Sequence, residues 1–271
     1  MGGVVAGTQE RTWSSLLADG QYEQAGQVLA AVPASNGLVD LGMEGSALLR
    51  LDLPQMRLVL RGMRSRTGAS EKLTGLLRDM IRAQRGDPIA IIPWIRDLLE
   101  DPDYRVAVLP YLGRGALQLC RSGKAEGVEI LERIVALYPD GDWAKSNLAN
   151  GYRFVGQYDD ALGIYDALLE KSGRQAWFLN GKALVLQARF DTEKALSLYL
   201  EGGAETCPGE RADRFTNRTN AAVLLISRGG EGDLDRAEQL LDSVVSRDSA
   251  AIRAAYYRRW AQRLRKRLAS R

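Results

Sequence analysis

Apolar residues along this chain recur at steps of three and four, broken every thirty-odd residues by a short polar turn. Ala161, Ile164, Tyr165, Leu168 and Leu169 share one side of a helix, and so do Ala237, Leu240, Leu241, Val244 and Val245. The turns before such stripes look alike. They run Gly20-Gln21-Tyr22-Glu23-Gln24-Ala25, Asp52-Leu53-Pro54-Gln55-Met56, Gly86-Asp87-Pro88-Ile89-Ala90-Ile91, and Gly123-Lys124-Ala125-Glu126-Gly127-Val128. Gly156-Gln157-Tyr158-Asp159-Asp160-Ala161, Asp191-Thr192-Glu193-Lys194-Ala195 and Gly232-Asp233-Leu234-Asp235-Arg236-Ala237 follow. Their last residues, at 25, 56, 91, 128, 161, 195 and 237, are 31, 35, 37, 33, 34 and 42 apart. A repeated helix–turn–helix unit of about 34 residues is the expectation, in an all-α chain.

Local chemistry agrees with the turns. Glycine lets a helix end in the left-handed conformation. Asp159, Asp160 and Asp235 favour the positive end of the helix that follows. Asp87 before Pro88 has the pattern of an N-cap followed by proline in the first turn. A small residue after each turn lets two antiparallel helices approach closely. Pro93 should kink or delay the second helix of its unit, and Pro110 should open the first helix of the next, leaving 103–109 as an added segment. Residues 201–213, with three glycines and a proline, suggest a long loop, and 65–70 a shorter one.

The copy from Asp142 to about Gly173 resembles the tetratricopeptide repeat, whose pattern is W-x2-L-G-x2-Y, then A-x3-F, then P. Leu148-Ala149, Tyr152, Ala161 and Tyr165 match it, whereas Lys145 stands at the tryptophan and Gly173 at the proline. The next copy offers Trp177, Asn180-Gly181, Leu184 and Ala195-x3-Tyr199, and the first, weaker, offers Leu17, Ala25 and Leu29 before Pro33. Copies two to four are degenerate. The resemblance implies a right-handed superhelix of about seven antiparallel helix pairs, against the alternative of an irregular α-helical bundle. It divides the chain into a flexible start (1–9), repeats one to four (10–140), repeats five to seven (141–247) and a closing helix (248–271).

It also implies a function: a non-catalytic scaffold or adaptor that holds a peptide or partner protein in a groove lined by the first helix of each pair. Carried onto this sequence, the groove positions are Trp143, Ser146, Asn147, Asn150, Arg153 and Phe154, then Phe178 and Lys182 with Asn180 adjacent, then Thr216, Thr219, Asn220 and Val223. Asparagine is a poor helix former, so three of them mid-helix need a reason. Pairing with the backbone of an extended peptide is one, and hydrogen bonding between repeats is the other. The lysines of the family's carboxylate-clamping version are missing, so that ligand is not expected.

Net charge is +3, distributed unevenly. Residues 249–271 hold eight basic side chains and no acidic one, and residues 50–85 hold nine against three, leaving about −11 for the rest. Residues 250–270 form an amphipathic helix with Ala254, Tyr257, Trp260, Ala261, Leu264 and Leu268 on one face. Arg258, Arg259, Arg263, Arg265, Lys266 and Arg267 cover the other. Two readings stand. The helix is a cap whose basic face keeps the end of the array in solution, or it contacts an acidic partner, nucleic acid or an anionic membrane surface. Arg57, Arg61 and Arg64 form a second basic face opposite Met56, Val59, Leu60 and Met63.

With no histidine, no phosphate-cradling glycine motif and no ligand spacing around Cys120 and Cys207, neither an enzyme nor a metal or cofactor site is expected. Asp159-Asp160 and Asp101 with Asp103 suit helix ends. The chain's start has no basic region followed by a long apolar run, so a secretory signal is not expected. Ala6 breaks the myristoylation pattern. The expected place is the cytoplasm, although a signal or anchor trimmed from the start would leave no trace.

Overall fold

A computed structural model describes residues 12–32, 41, 45–67, 69–102, 104–248 and 250–270. Among these residues it has fifteen α-helices and no strand, and from α9 to α15 each helix packs on its neighbours in sequence, so the fold is an all-α helical repeat. The expected flexible start, Pro33 and Asp103 lie outside the described residues. The helices gather into two compact units, residues 1–134 and 135–271.

The first unit holds α1 (Trp13–Ala18), α2 (Tyr22–Leu29), α3 (Ser46–Leu49), α4 (Leu53–Arg64), α5 (Glu71–Gln84), α6 (Ile92–Ile95) and α7 (Arg105–Arg121), and α8 (Glu126–Leu137) begins in it. Asp52 caps α4 by a reciprocal pair of bonds. Its carboxylate accepts from the Gln55 backbone at 2.9 Å, and the Gln55 amide oxygen accepts from the Asp52 backbone at 2.9 Å. Met56, Val59, Leu60 and Met63 are buried, as are Leu73, Leu76, Leu77 and Met80 of α5. Helices α2 and α4 meet backbone to backbone. A Cβ at Gly26 would run into the carbonyl of Val59, and one at Gly62 into that of Glu23.

Two local expectations, at Asp87 and Pro110, are corrected here, and the delay expected at Pro93 is seen. Asp87 does not cap a helix: residues 88–91 form turns, and the Asp87 carboxylate accepts from Arg82 at 2.6 Å. Pro93 delays the second helix so far that only α6 and the 3₁₀ turn Asp97–Leu99 remain. Pro110 does not open α7 but sits inside it. Its ring faces solvent, and the carbonyl it leaves unpaired belongs to the exposed Val106, where water can bond it. The segment expected as an insert is therefore mostly the first turn of α7. Its Tyr111 hydroxyl donates to the Leu49 carbonyl at 2.6 Å.

The second unit is more regular. It contains α9 (Asp142–Phe154), α10 (Tyr158–Ser172), α11 (Ala176–Ala188), α12 (Thr192–Gly202), α13 (Arg211–Arg228), α14 (Asp233–Val245) and α15 (Ile252–Ala269). Pairs α9–α10, α11–α12 and α13–α14 turn back within three or four residues, so each is antiparallel. Ala161, Ala195 and Ala237, the small residues after the turns, are wholly buried. Tyr165 rests on Gly181, where its ring fills the space a Cβ would need. The loop Gly203–Glu210 is packed rather than loose. Cys207 is buried in the core, and Pro208 accepts from the Ala176 backbone at 2.8 Å.

One turn breaks the glycine rule. Gly20, Gly123 and Gly156 have φ of 74°, 74° and 84°, whereas the equivalent residue before α12 is Phe190, at φ 65° and 90% exposed. A side chain in this region costs roughly 1–2 kcal/mol, less for asparagine. Phe190→Asn is expected to raise stability by up to about 1 kcal/mol in urea unfolding. Gly62→Ala, which forces α2 and α4 apart, is expected to lower it by roughly 1–3 kcal/mol in the same experiment.

Candidate functional site

The first helices of the second unit lie side by side, α9 against α11, α11 against α13, and α13 against α15. The shared face is where groove residues were expected. On α9, Trp143, Asn147, Asn150 and Phe154 follow one another at i, i+4, i+7 and i+11, all exposed or half-buried. Trp143, 40% exposed, leans on Tyr138 with ring centroids 5.9 Å apart. Asn150 donates to the Ser146 carbonyl of its own helix at 3.0 Å. No described residue hydrogen-bonds the half-buried Asn147 amide. The Arg153 guanidinium lies over the Phe154 ring, 4.1 Å from its centre.

On α11 the stripe on this face is Trp177, Asn180, Leu184 and Gln187, all half-buried. Phe178 is 1% exposed and belongs to the core between α9 and α11, so it is not a surface residue. Lys182 is turned toward α10, where it pairs with Asp166. Both stand on the side of α11 that packs against the preceding pair. On α13, Thr216 is exposed, Thr219 is buried with its hydroxyl donating to the Phe215 carbonyl at 2.8 Å, and Asn220 is nearly buried. The Asn220 amide donates to the Asn180 oxygen at 2.7 Å. That bond spans α11 and α13, so these two asparagines join repeats. Thr216 and Thr219 also line a recess of about 260 Å³ closed by Phe215, Val244, Ala251 and Ile252.

Beneath this face lie polar residues that the periodicity did not single out. Arg218 is buried and donates to the Gly203 carbonyl at 2.6 Å, to Glu205 at 2.6 Å and to the Ser243 hydroxyl at 3.3 Å. Asn217, also buried, donates to the Ala176 carbonyl at 2.8 Å. Buried Asp233 accepts two bonds from Arg228, at 2.6 and 2.8 Å, and one from the Gly230 backbone at 2.8 Å. Arg228 also reaches Glu193 of α12. For Asn217 and Arg218 the signal was the polar run Thr216-Asn217-Arg218-Thr219-Asn220, which goes round the whole helix, so that part of it must meet the core. Burial pushes the Tyr165 and Tyr199 phenols up, so both stay protonated. Tyr165 lies 3.3 Å from the Ser146 hydroxyl, and Tyr199 donates to Gln187 at 2.8 Å.

The basic closing helix divides. Arg258 pairs with Asp242, and Arg265 with Asp235 and Glu238, all on α14. Arg259, Arg263, Lys266 and Arg267 are exposed with no acidic partner among the described residues. Ala254 and Ala261 are buried as expected, and Tyr257 and Leu264 pack against the same core. Trp260 and Leu268, placed on that face from sequence, are partly exposed at 38% and 55%. Trp260 stands about 100° around the helix from Ala261, at the border of the buried face, and Leu268 lies in the last turn of α15.

Among the described residues, no group of three or more His, Cys, Asp or Glu is placed to hold a metal ion. No described helix is long and apolar enough to cross a membrane. A family model for the tetratricopeptide repeat matches residues 144–175, which is the pair α9–α10 with the residues leading into α11. The match supports a tetratricopeptide-like chain on the copy that carries the motif best. No curated protein matches the chain at a significant level.

Four carboxyls joining these helices sit below their ordinary range. Hydrogen bonds from Ser172 and Lys171 lower Asp142, Arg174 lowers Glu201, Arg218 lowers Glu205, and Arg228 lowers Asp233. The folded chain therefore holds protons at these groups more weakly than the unfolded chain. Their stabilisation is complete above about pH 5 and is lost as pH falls through and below about 4. Thermal melts between pH 7 and pH 3 are expected to show this loss, with a shallower slope for Asp233→Asn.

Proposed function

We propose that residues 135–271 form a protein-binding module that holds an extended segment of a partner across α9, α11 and α13. The observation that carries this reading is Asn147. Its amide is half-buried on the outer stripe of α9, with no described residue hydrogen-bonding it, next to the half-exposed indole of Trp143. A mid-helix asparagine is unfavourable for the helix, and here it gives the fold no bond in return. An extended peptide supplies both the donor and the acceptor that the amide needs. Trp143 and Trp177 offer apolar area for side chains of that peptide, as aromatic anchors do in many interfaces.

The contact set differs from the one the family resemblance implied. Trp143, Asn147, Trp177, Leu184 and Thr216 are offered to a ligand, with Asn150 and Arg153 at the edge. Phe178, Thr219 and the Asn180–Asn220 bond support the face from within. A family match on α9–α10 favours a holding role over chemistry.

Co-purification from a proteome with the intact chain, compared with Trp143→Ala plus Asn147→Ala, tests this. Partners held by the face are expected to weaken at least about tenfold. Identical recovery of every partner by the variant, with its melting temperature unchanged, would remove the proposal.

A further inference from the structure

The outward face of α15 adjoins the groove only at Ile252, on the rim of the Thr216 recess, and the groove reading does not rest on it. Helix α15 packs on α14 and also touches α13, much as α13 packs on α12 and touches α11. It therefore takes the place of a first helix in a further pair. In each earlier pair of this unit the second helix covers the first. No described helix covers α15.

Opposite the buried Ala254 and Ala261, the face carries Ile252, 80% exposed, and Tyr256, 53% exposed, with Trp260 at its border. Arg259, Arg263 and Lys266 stand among them, at i, i+4 and i+7. The inner side of the same helix shows what such a pattern recognises. There Arg258 and Arg265, also seven apart, meet Asp235, Glu238 and Asp242 of α14, which lie at i, i+3 and i+7 beside its buried Ala237, Leu241 and Val244. Arg259 and Lys266 repeat that spacing one residue further on. Cations and apolar groups are interleaved on this face rather than sorted to opposite sides. A bilayer does not suit that arrangement, since Ile252 and Tyr256 would enter it with Arg259 and Arg263 between them. A phosphate backbone satisfies the cations but leaves the aliphatic Ile252 in water.

We infer that this face docks an acidic amphipathic α-helix of a partner protein, with carboxylates at i, i+3 or i+4, and i+7 beside an apolar stripe, completing the pair as α14 completes its own. The carboxylates would take Arg259, Arg263 and Lys266, and the apolar stripe would cover Ile252 and Tyr256.

The test uses the full chain and a labelled helical peptide with glutamates at i, i+4 and i+7 beside leucines. Its scrambled isomer, a 20-nucleotide polyuridine and vesicles carrying phosphatidylserine serve as comparison probes. The peptide is expected to bind at least about tenfold more tightly than its scrambled isomer, and to lose about tenfold on Arg259→Glu plus Arg263→Glu plus Lys266→Glu. Ile252→Ser plus Tyr256→Ser should cost a similar factor. A peptide with lysines in place of its glutamates should recover binding to the charge-reversed variant, which separates lost contact from lost folding. Three results overturn the inference: equal binding of peptide and scrambled isomer, indifference to Ile252→Ser plus Tyr256→Ser, or binding of polyuridine or vesicles where the peptide does not bind.

Discussion

No helix in residues 135–271 can bury its apolar stripe alone, so each depends on close approach to the next. Small residues set that approach. Ala161, Ala195 and Ala237 are wholly enclosed, and Tyr165 lies on Gly181 where any side chain would displace it. Nearest-neighbour burial of this kind makes stability a property of the stack rather than of one pair. It also leaves part of α9 and of α15 uncovered by any described neighbour.

The stack is tied at a second level by buried polar groups. Arg218 gathers the carbonyl of Gly203, the carboxylate of Glu205 and the hydroxyl of Ser243 around one guanidinium. This converts the loop between α12 and α13 into a fixed spacer. Arg228 does the same for Glu193 and Asp233. The Asn180–Asn220 bond sets α11 against α13. A buried group left unpaired costs about 1–3 kcal/mol, so these networks favour one spacing of the repeats over others. They also withdraw from the surface several side chains of the type that binds peptides. What stays free is narrower: the α9 stripe around Trp143 and Asn147, and the outward face of α15.

The basic closing helix shows how one element serves two ends. Two of its arginines are used in holding it to α14, which is the work of a cap. The remaining cations, mixed with exposed Ile252 and Tyr256, pair with no described carboxylate. Its charge excess therefore has two causes, separable only residue by residue.

The sequence by itself determined the all-α class, the turns and most helix ends, because these follow from period, glycine, capping and helix-end charge, all local in the chain. It determined the α9–α10 pair best, where the repeat motif is most complete. Only the tertiary structure decided which polar residues stay at the surface and which are used within the fold. Asn147, Asn180 and Asn220 look alike in sequence, but one amide is unpaired and the other two bond each other across repeats. Phe178 and Trp177 are adjacent aromatics, and one is core. Pro110 lies within a helix because solvent can reach the carbonyl it frees, and Arg258 differs from Arg259 because Asp242 stands beside only one of them. Pro110 apart, the outcome depends on what lies across a helix interface, 16 residues away for Arg258 and 40 for Asn180, and periodicity along a single helix carries no information about its neighbour.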